Sequence, residues 1–251
     1  MTKLYSICNL IVQCDFRYDI MINRAEKYLL TSASREMTSV EDSTLQNTEE
    51  PDIIIPFNEA AITKMAQENP HLSLAECEVI NTCRLFYMTL LKFDGFMLHS
   101  SAVVVDDKAY LFSAPSGTGK STHTEQWLKL FGDKAQILND DKPAICIRNG
   151  SIYAYGTPWS GKSDLNLNLC VPLQGICVLG RSEENYIRPL EQSKAIYSII
   201  NQTLRPKSPE AYDKLLSLLD QVMNHVPVWQ MGCNISTEAA QIAYDAMSAK
   251  R

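Results

Sequence analysis

The segment Ala114-Pro115-Ser116-Gly117-Thr118-Gly119-Lys120-Ser121 sets two glycines, a lysine and a hydroxyl at a spacing that suits the phosphates of a nucleoside triphosphate. Gly117 and Gly119 allow the backbone to turn its N–H groups inward onto phosphate oxygens, and a helix starting at Lys120 offers its positive end to the same anion. Lys120 would reach the β- and γ-phosphates, and Ser121 would set its hydroxyl on Mg²⁺. The expected nucleotide-binding residues are therefore Ser116, Gly117, Thr118, Gly119, Lys120, Ser121 and Thr122, with Ala114 standing where the Walker A pattern usually begins with glycine. The plainer alternative is a glycine turn opening an ordinary helix. It is disfavoured because the motif follows an expected strand and begins an expected helix, as phosphate binding requires.

Phosphate chemistry also needs a metal carboxylate and a base, and Asn139-Asp140-Asp141 ends the strand expected after that helix. Adjacent carboxylates at a strand end point to different sides, so one can serve a metal while the other faces an acceptor. A turn into Pro143 is the alternative use of these residues, and Lys142 beside the pair could simply neutralise it. A lone His99 before the first hairpin reads by default as structural or partly exposed, and His123 as packed or solvated; His71 and His225 have no supporting neighbours. Gly156-Thr157-Pro158-Trp159-Ser160-Gly161-Lys162 reads equally as an acceptor or phosphate loop, with Gly161 freeing the backbone and Lys162 supplying charge, and as a surface turn with Trp159 in the core. Arg181, Arg188 and Arg205 are further cations. Arg205 precedes Pro206 at a helix end and could reach phosphate, but a solvated or ion-paired role fits it as well.

The elements that position these residues follow from periodicity. Leu4 to Cys14 reads as one strand, and the polar stretch Thr31 to Asp52 as a surface excursion. Ser73-Leu74-Ala75-Glu76 has capping-box spacing and opens a helix from about Leu74 to Phe93. Two hairpins follow: Ala102 to Phe112 around Asp106-Asp107, and Pro143 to Tyr155 around Asn149-Gly150. Between them lie a helix from Lys120 to Phe131, closed by Gly132, and a strand from Ala135 to Leu138. The rest predicts a strand at Leu173 to Leu179, helices near Leu190 to Leu204 and Pro209 to His225, a strand at Val226 to Cys233 and a helix at Thr237 to Met247.

The chain of 251 residues is 45% hydrophobic, enough for one large domain or a domain with a subdomain. A net charge of −6 and a pI near 5.3 argue against nucleic acid or an anionic membrane as the main partner. No apolar run reaches the roughly 18 residues of a membrane span, and no signal peptide follows Met1, so the expected location is cytoplasmic. Eight cysteines without a CxxC pair, mostly in apolar segments, read as reduced and buried.

Taken together, His99, the loop from Ala114 to Ser121 and Asp140-Asp141 resemble the catalytic domain of HPr kinase/phosphorylase and its kinase relatives, which share a core with ATP-type phosphoenolpyruvate carboxykinase; the resemblance covers Phe96 to Asn185. It implies that Asp140 takes the proton of an acceptor hydroxyl, His99 holds or tunes that carboxylate, Lys120 assists transfer and Asp141 binds the metal, although the two carboxylates could exchange roles. It also suggests self-association into a homo-oligomer. The expected fold is α/β: a mixed, partly antiparallel sheet with a P-loop, like the HPr kinase C-terminal domain and PEP carboxykinase, with C-terminal helices packed on the sheet. Residues 96–251 form the expected kinase core. Residues 1–95 do not resemble the separate N-terminal domain of bifunctional HPr kinases and read as strands and a helix added as an edge or subdomain. The family's second signature is absent too, its place taken by the loop with Trp159 and Lys162, which puts both HPr as substrate and the reverse phosphorylase reaction in doubt.

The expected function is thus an ATP-dependent kinase, with ATP or another nucleoside triphosphate and Mg²⁺, whose acceptor is a hydroxyl of a protein, a peptide or a small molecule. A nucleotide-hydrolysing regulatory protein without acceptor is the alternative, and carboxykinase chemistry ranks third. An acceptor base is of no use to a switch, and oxaloacetate-binding arginines have no evident place here.

Overall fold

Alternation along two central strands decides the architecture of the larger part of the molecule. In the computed structural model, which describes residues 2–30 and 50–249, the chain divides into two compact units, Met1–Thr89 and Leu90–Arg251.

In the first unit, strands β1 (Lys3–Ile7) and β2 (Leu10–Cys14) pair antiparallel, and β3 (Ile53–Ile55) lies parallel to β2, so these three form a sheet of their own. The single strand expected over Leu4 to Cys14 is instead a hairpin. Cys8 and Asn9 both take positive φ, 57° and 59°, at its turn; Asn tolerates that region but Cys carries no turn signal, so the break was hidden. Most of the polar stretch from Thr31 to Asp52 lies outside the described residues. Helices α1 (Asp19–Ala25) and α2 (Glu59–Glu68) went unanticipated, the latter capped by Asn58 Oδ1 on the Ala61 N–H at 2.9 Å. Helix α3 (Leu74–Leu90) continues as a 3₁₀ turn to Phe93, matching the expected span. Its capping box forms as read: Ser73 N–H donates to Glu76 Oε2 at 2.8 Å and Glu76 N–H to Ser73 Oγ at 3.2 Å.

In the second unit, β4 (Gly95–Met97), β5 (Ser100–Val105), β6 (Lys108–Ser113), helix α4 (Lys120–Phe131), β7 (Ala135–Asn139), β8 (Ala144–Arg148), β9 (Ser151–Tyr155), β10 (Cys170–Arg181), β11 (Tyr186–Pro189), helices α5 (Gln192–Ile200) and α6 (Pro209–His225), β12 (Val228–Cys233) and helix α7 (Thr237–Ser248) follow in order. The sheet runs β4-β8-β9-β10-β6-β5-β7, with β12 also on β10 and β11 on β12. Only β10 with β6 and β10 with β12 pair parallel; the other pairs are antiparallel, so the sheet is mixed, as expected. Both hairpins form where read, with positive φ at Asp106, Asp107, Asn149 and Gly150. The strand expected at Leu173 to Leu179 is longer, because β10 pairs with β9 at its start and with β12 at its end. The helix expected at Leu190 to Leu204 is shorter.

Val103 and Val105 of β5 and Tyr110 and Phe112 of β6 face one side, where Trp127 of α4 and Ala239, Ala240 and Ala243 of α7 cover them. Ala102, Val104, Ala109 and Leu111 face the other, against Ala195 and Ile199 of α5 and Leu215, Leu218 and Leu219 of α6. The result is an α/β fold with the C-terminal helices packed on both faces of the sheet. Each leucine so buried contributes about 1.5–3 kcal/mol relative to exposure. The same alternation sends Ser101 toward α4, which matters below.

Candidate active site

The turn between β6 and α4 takes positive φ at Gly117 (77°) and Gly119 (118°), and a Cβ at either would meet nothing within 4 Å. Gly119 is the N-cap of α4, with no side chain capping it, so the N–H groups of the first turn are left facing outward from the helix end. Lys120 lies just inside. Its ammonium donates to Ala114 O at 3.0 Å; burial pushes its pKa down, while Asp141 and Asp140 pull it back up. From the end of β10, Arg181 donates to Gly117 O at 2.5 Å and to Thr118 O at 3.2 Å, turning those carbonyls outward.

A cavity of about 620 Å³ opens beside this loop, within the range of small-molecule sites. Of the seven residues expected to hold a nucleotide, Ser116, Gly117, Gly119, Lys120, Ser121 and Thr122 line it; Thr118 does not. His99, Asp140, Asp141, Gly161 and Lys162 line it as well, so residues as far apart in sequence as His99 and Lys162 meet there. Trp159 is 1% exposed and does not line it, and neither does Arg205, which is exposed.

The two carboxylates separate as strand geometry requires, but His99 joins the other one. His99 Nε2 lies 3.2 Å from Asp141 Oδ1, while Asp140 Oδ1 accepts from Ser101 Oγ at 2.7 Å. The expectation that His99 tunes Asp140 is therefore corrected. A bulge between β5 and β7, where Ala102 opposes Asn139 but Val103 opposes Ile137, adds a residue just before the acids and re-aims them. Lys142 Nζ also pairs with Asp141 Oδ2. Burial alone would raise the Asp141 carboxyl; His99 and Lys142 outweigh it and hold the pKa at about 2. On its far side His99 Nδ1 meets Gln202 Oε1 at 2.9 Å, which fixes the ring.

Asn139, fully buried, organises the segment that follows. Its Oδ1 accepts the N–H groups of Asp141 (2.9 Å) and Lys142 (2.7 Å), and its Nδ2 donates to Thr157 O at 2.9 Å. Gly156 lies so close to the chain opposite that a Cβ there would sit 1.8 Å from Leu167 O. Gly161 (φ 71°) presses on Asp141, where a Cβ would come within 2.9 Å of the Asp141 Cβ. The segment around Trp159 and Lys162 is thus built against the acid pair, not onto open surface.

Sequence reasoning missed Ser101, Thr124, Asn139 and Gln202. Ser101 follows His99 at the two-residue strand period, a signal that could have found it. Gln202 is remote in sequence and carried none. His123 is a core residue, 4% exposed: Trp127 Nε1–H donates to its Nε2 at 3.2 Å, and burial lowers its pKa to about 4. All eight cysteines are free thiols, and only Cys170 and Cys233 are not buried.

Ser121, Asp140 and Asp141 supply oxygen donors only, which suits a hard divalent cation. Among the described residues no group of three or more His, Cys, Asp or Glu could hold a metal unaided. Mg²⁺ is commonly held by one or two carboxylates together with substrate phosphates, and a hydroxyl and two carboxylates lining one cavity supply donors of that kind. The residues therefore fit a Mg²⁺–nucleotide.

Residues 62–206, more than half of the chain, match the family described as SynChlorMet cassette protein ScmC. The chain belongs to the ScmC family. The ScmC match takes in the glycine loop, the acid pair and His99, and ends just beyond Gln202. No curated protein matches this chain. Among solved structures, the Hpr(Ser) kinase/phosphatase from Coxiella burnetii is similar at 13% identity, over 61% of this chain and 94% of that one, with a TM-score of 0.35, too low to bear on fold or activity. Among the described residues no helix is long and apolar enough to cross a membrane.

Proposed function

We propose that this ScmC-family chain is a phosphotransferase that moves the γ-phosphate of ATP, with Mg²⁺, onto a hydroxyl of a protein, a peptide or a small metabolite. The observation that carries it is a single cavity lined by a lysine at an uncapped helix N-terminus and by two carboxylates in different settings, Asp140 and Asp141. On this reading the loop from Ser116 to Thr122 is a P-loop that binds the phosphates, and Lys120 offsets charge on the γ-phosphate. Ser121 and Asp141 would hold Mg²⁺, which would offset the phosphate charge further when bound. Lys142 then has to leave Asp141 Oδ2, while His99, braced by Gln202, keeps that carboxylate oriented.

Asp140, free of Lys142 and His99, is the acceptor base. It takes the hydroxyl proton as the acceptor oxygen bonds to the γ-phosphorus and the bond to the β–γ bridging oxygen breaks. Lys162, exposed at the cavity edge, is placed to meet the acceptor or its phosphorylated product. A regulatory protein that only hydrolyses nucleotide has no use for a base held in this way. Incubating the chain with γ-labelled ATP, Mg²⁺ and panels of protein, peptide and small-molecule hydroxyls tests the proposal. Label is expected in an acceptor, falling about 10²–10⁴-fold in Asp140→Asn. Label found only as free phosphate, indifferent to every acceptor and to that substitution, overturns it.

A further inference from the structure

Asp140 does not stand alone. Ser101 Oγ, fully buried, lies 2.7 Å from Asp140 Oδ1 and 2.7 Å from Thr124 Oγ1, and Thr124 is 1% exposed. Proton counting orders the chain. An ionised carboxylate only accepts, so the single hydroxyl proton of Ser101 goes to Asp140, and Ser101 Oγ is left to accept from Thr124. Thr124 sits in the first turns of α4, and its one hydroxyl proton is shared between Ser101 Oγ and Ser121 O, which lies 3.0 Å from its Oγ1. Two side chains, Ser101 and Thr124, thereby tie the carboxylate on the end of β7 to the helix whose N-terminus lines the cavity.

We infer that Ser101, backed by Thr124, is a positioning residue: it holds the Asp140 carboxylate in one rotamer, in register with the helix that carries Lys120 and Ser121. This rests on the phosphotransferase reading and adds to it a residue that touches neither nucleotide nor acceptor. The chemical reason is geometric. A base is effective only within hydrogen-bond reach of the proton it removes, and a misplacement of about 1 Å can cost 10²-fold in rate. The backbone N–H of Asp140 donates to Leu165 O at 3.1 Å, which fixes the main chain, and Ser101 Oγ–H donates to Oδ1, which fixes the carboxylate end.

The test compares Ser101→Thr with Ser101→Val, equal in shape and different only in the hydroxyl, beside Ser101→Ala. Turnover is expected to fall about 10–100-fold in the Val and Ala variants and to return to within about 3-fold of wild type in Thr, with the KM for ATP unchanged within about 2-fold. In an Asp140→Asn background, Ser101→Ala should cost nothing further, because the group it positions is gone. Equal turnover in the Thr and Val variants, a change confined to KM, or a full additional loss in the Asp140→Asn background overturns the inference while leaving the phosphotransferase reading intact. A wild-type chain that neither transfers nor releases the γ-phosphate overturns both. Should the Val and Ala variants not fold, Thr124→Ser against Thr124→Ala reads the same chain one bond further back: turnover kept by Ser and lost by Ala supports it, and equal turnover overturns it.

Discussion

From Ser116 to Ser121 the cavity meets a loop shaped by its own backbone, with positive φ at Gly117 and Gly119, an uncapped helix end and carbonyls turned away onto Arg181. From Asn139 to Leu165 it meets a segment shaped by buried side chains, with one amide bridging the acid turn to Thr157 and a second polar cluster around Asn166, which donates to Ser160 Oγ at 2.8 Å. The first arrangement presents fixed N–H dipoles, which suits a ligand that is always an anion. The second holds ionisable groups in place by neighbours, so it can assign unlike jobs to like residues, as Asp140 and Asp141 illustrate. Such a wall is also more fragile, because each buried polar group depends on a partner.

The largest expected effect follows from that fragility. Asn139→Leu removes the amide that donates to the Thr157 carbonyl and accepts from the N–H groups of Asp141 and Lys142, at about 1–3 kcal/mol for each hydrogen bond lost in this buried and half-buried turn. A total of about 4 kcal/mol corresponds to a fall of roughly 8–16 °C in Tm for a unit of this size. Calorimetry on the two chains checks it. A loss under about 0.5 kcal/mol, within the ordinary range for a surface change, would show that this wall keeps its shape through its backbone as the other does.

The same contrast explains what could be read in advance. The glycine loop, its helix, the two hairpins and the Ser73–Glu76 cap are local: each is specified within a few residues by positive-φ positions, alternation or capping spacing, and each formed where expected. What escaped depends on residues far apart in the chain. The pairing of His99 with Asp141 instead of Asp140 hangs on a bulge between β5 and β7, and Gln202 reaches His99 across 103 positions. Trp159 illustrates the limit: composition allowed a ligand loop or a core residue, and the fold leaves the ring 1% exposed. Where a local signal did mislead, at Cys8-Asn9, the residue at the turn was one without turn chemistry.

Acid should distinguish the two walls again, at somewhat smaller cost. His123 supports the first wall from inside α4, neutral, with Trp127 donating to one ring nitrogen and Phe112 packed edge-on at 4.5 Å. Its pKa is about 4 in the folded chain against an ordinary 6.5. Above pH 6.5 both states hold it neutral and nothing is lost. As pH falls through 6.5 the unfolded chain takes up a proton that the folded chain refuses, so stability declines until pH approaches 4. The span is worth about 3 kcal/mol. Asp141, with its pKa near 2, is ionised throughout this window, so the second wall contributes no comparable loss from that carboxylate. Denaturant unfolding at pH 7 and pH 4.5, with His123→Gln as the reference, measures the difference; equal pH dependence in the two proteins refutes it.

The finest probe is Gly161→Ala, which tests whether the second wall positions its acid by contact. The position has φ 71°, which an alanine adopts with about 1–2 kcal/mol of strain, and the added methyl carbon would lie 2.9 Å from Asp141 Cβ and 3.1 Å from its Cγ. Rotation about Cα–Cβ moves the Asp141 carboxylate away but leaves its Cβ in place, so the carboxylate turns and the loop at residue 161 shifts by a few tenths of an ångström, while Asn139 holds the strand end. Asp141 then loses its alignment with His99, while the glycine loop, which shares no contact with the new methyl, is untouched. The expected outcome is a modest loss of stability, a fall of about 10-fold in turnover, a weaker dependence on Mg²⁺ and unchanged binding of nucleotide in the absence of metal. Binding of metal-free nucleotide that weakens in step with turnover would mean that the walls are mechanically one, and that the division between a backbone-built and a side-chain-built half of the cavity does not extend to how they work.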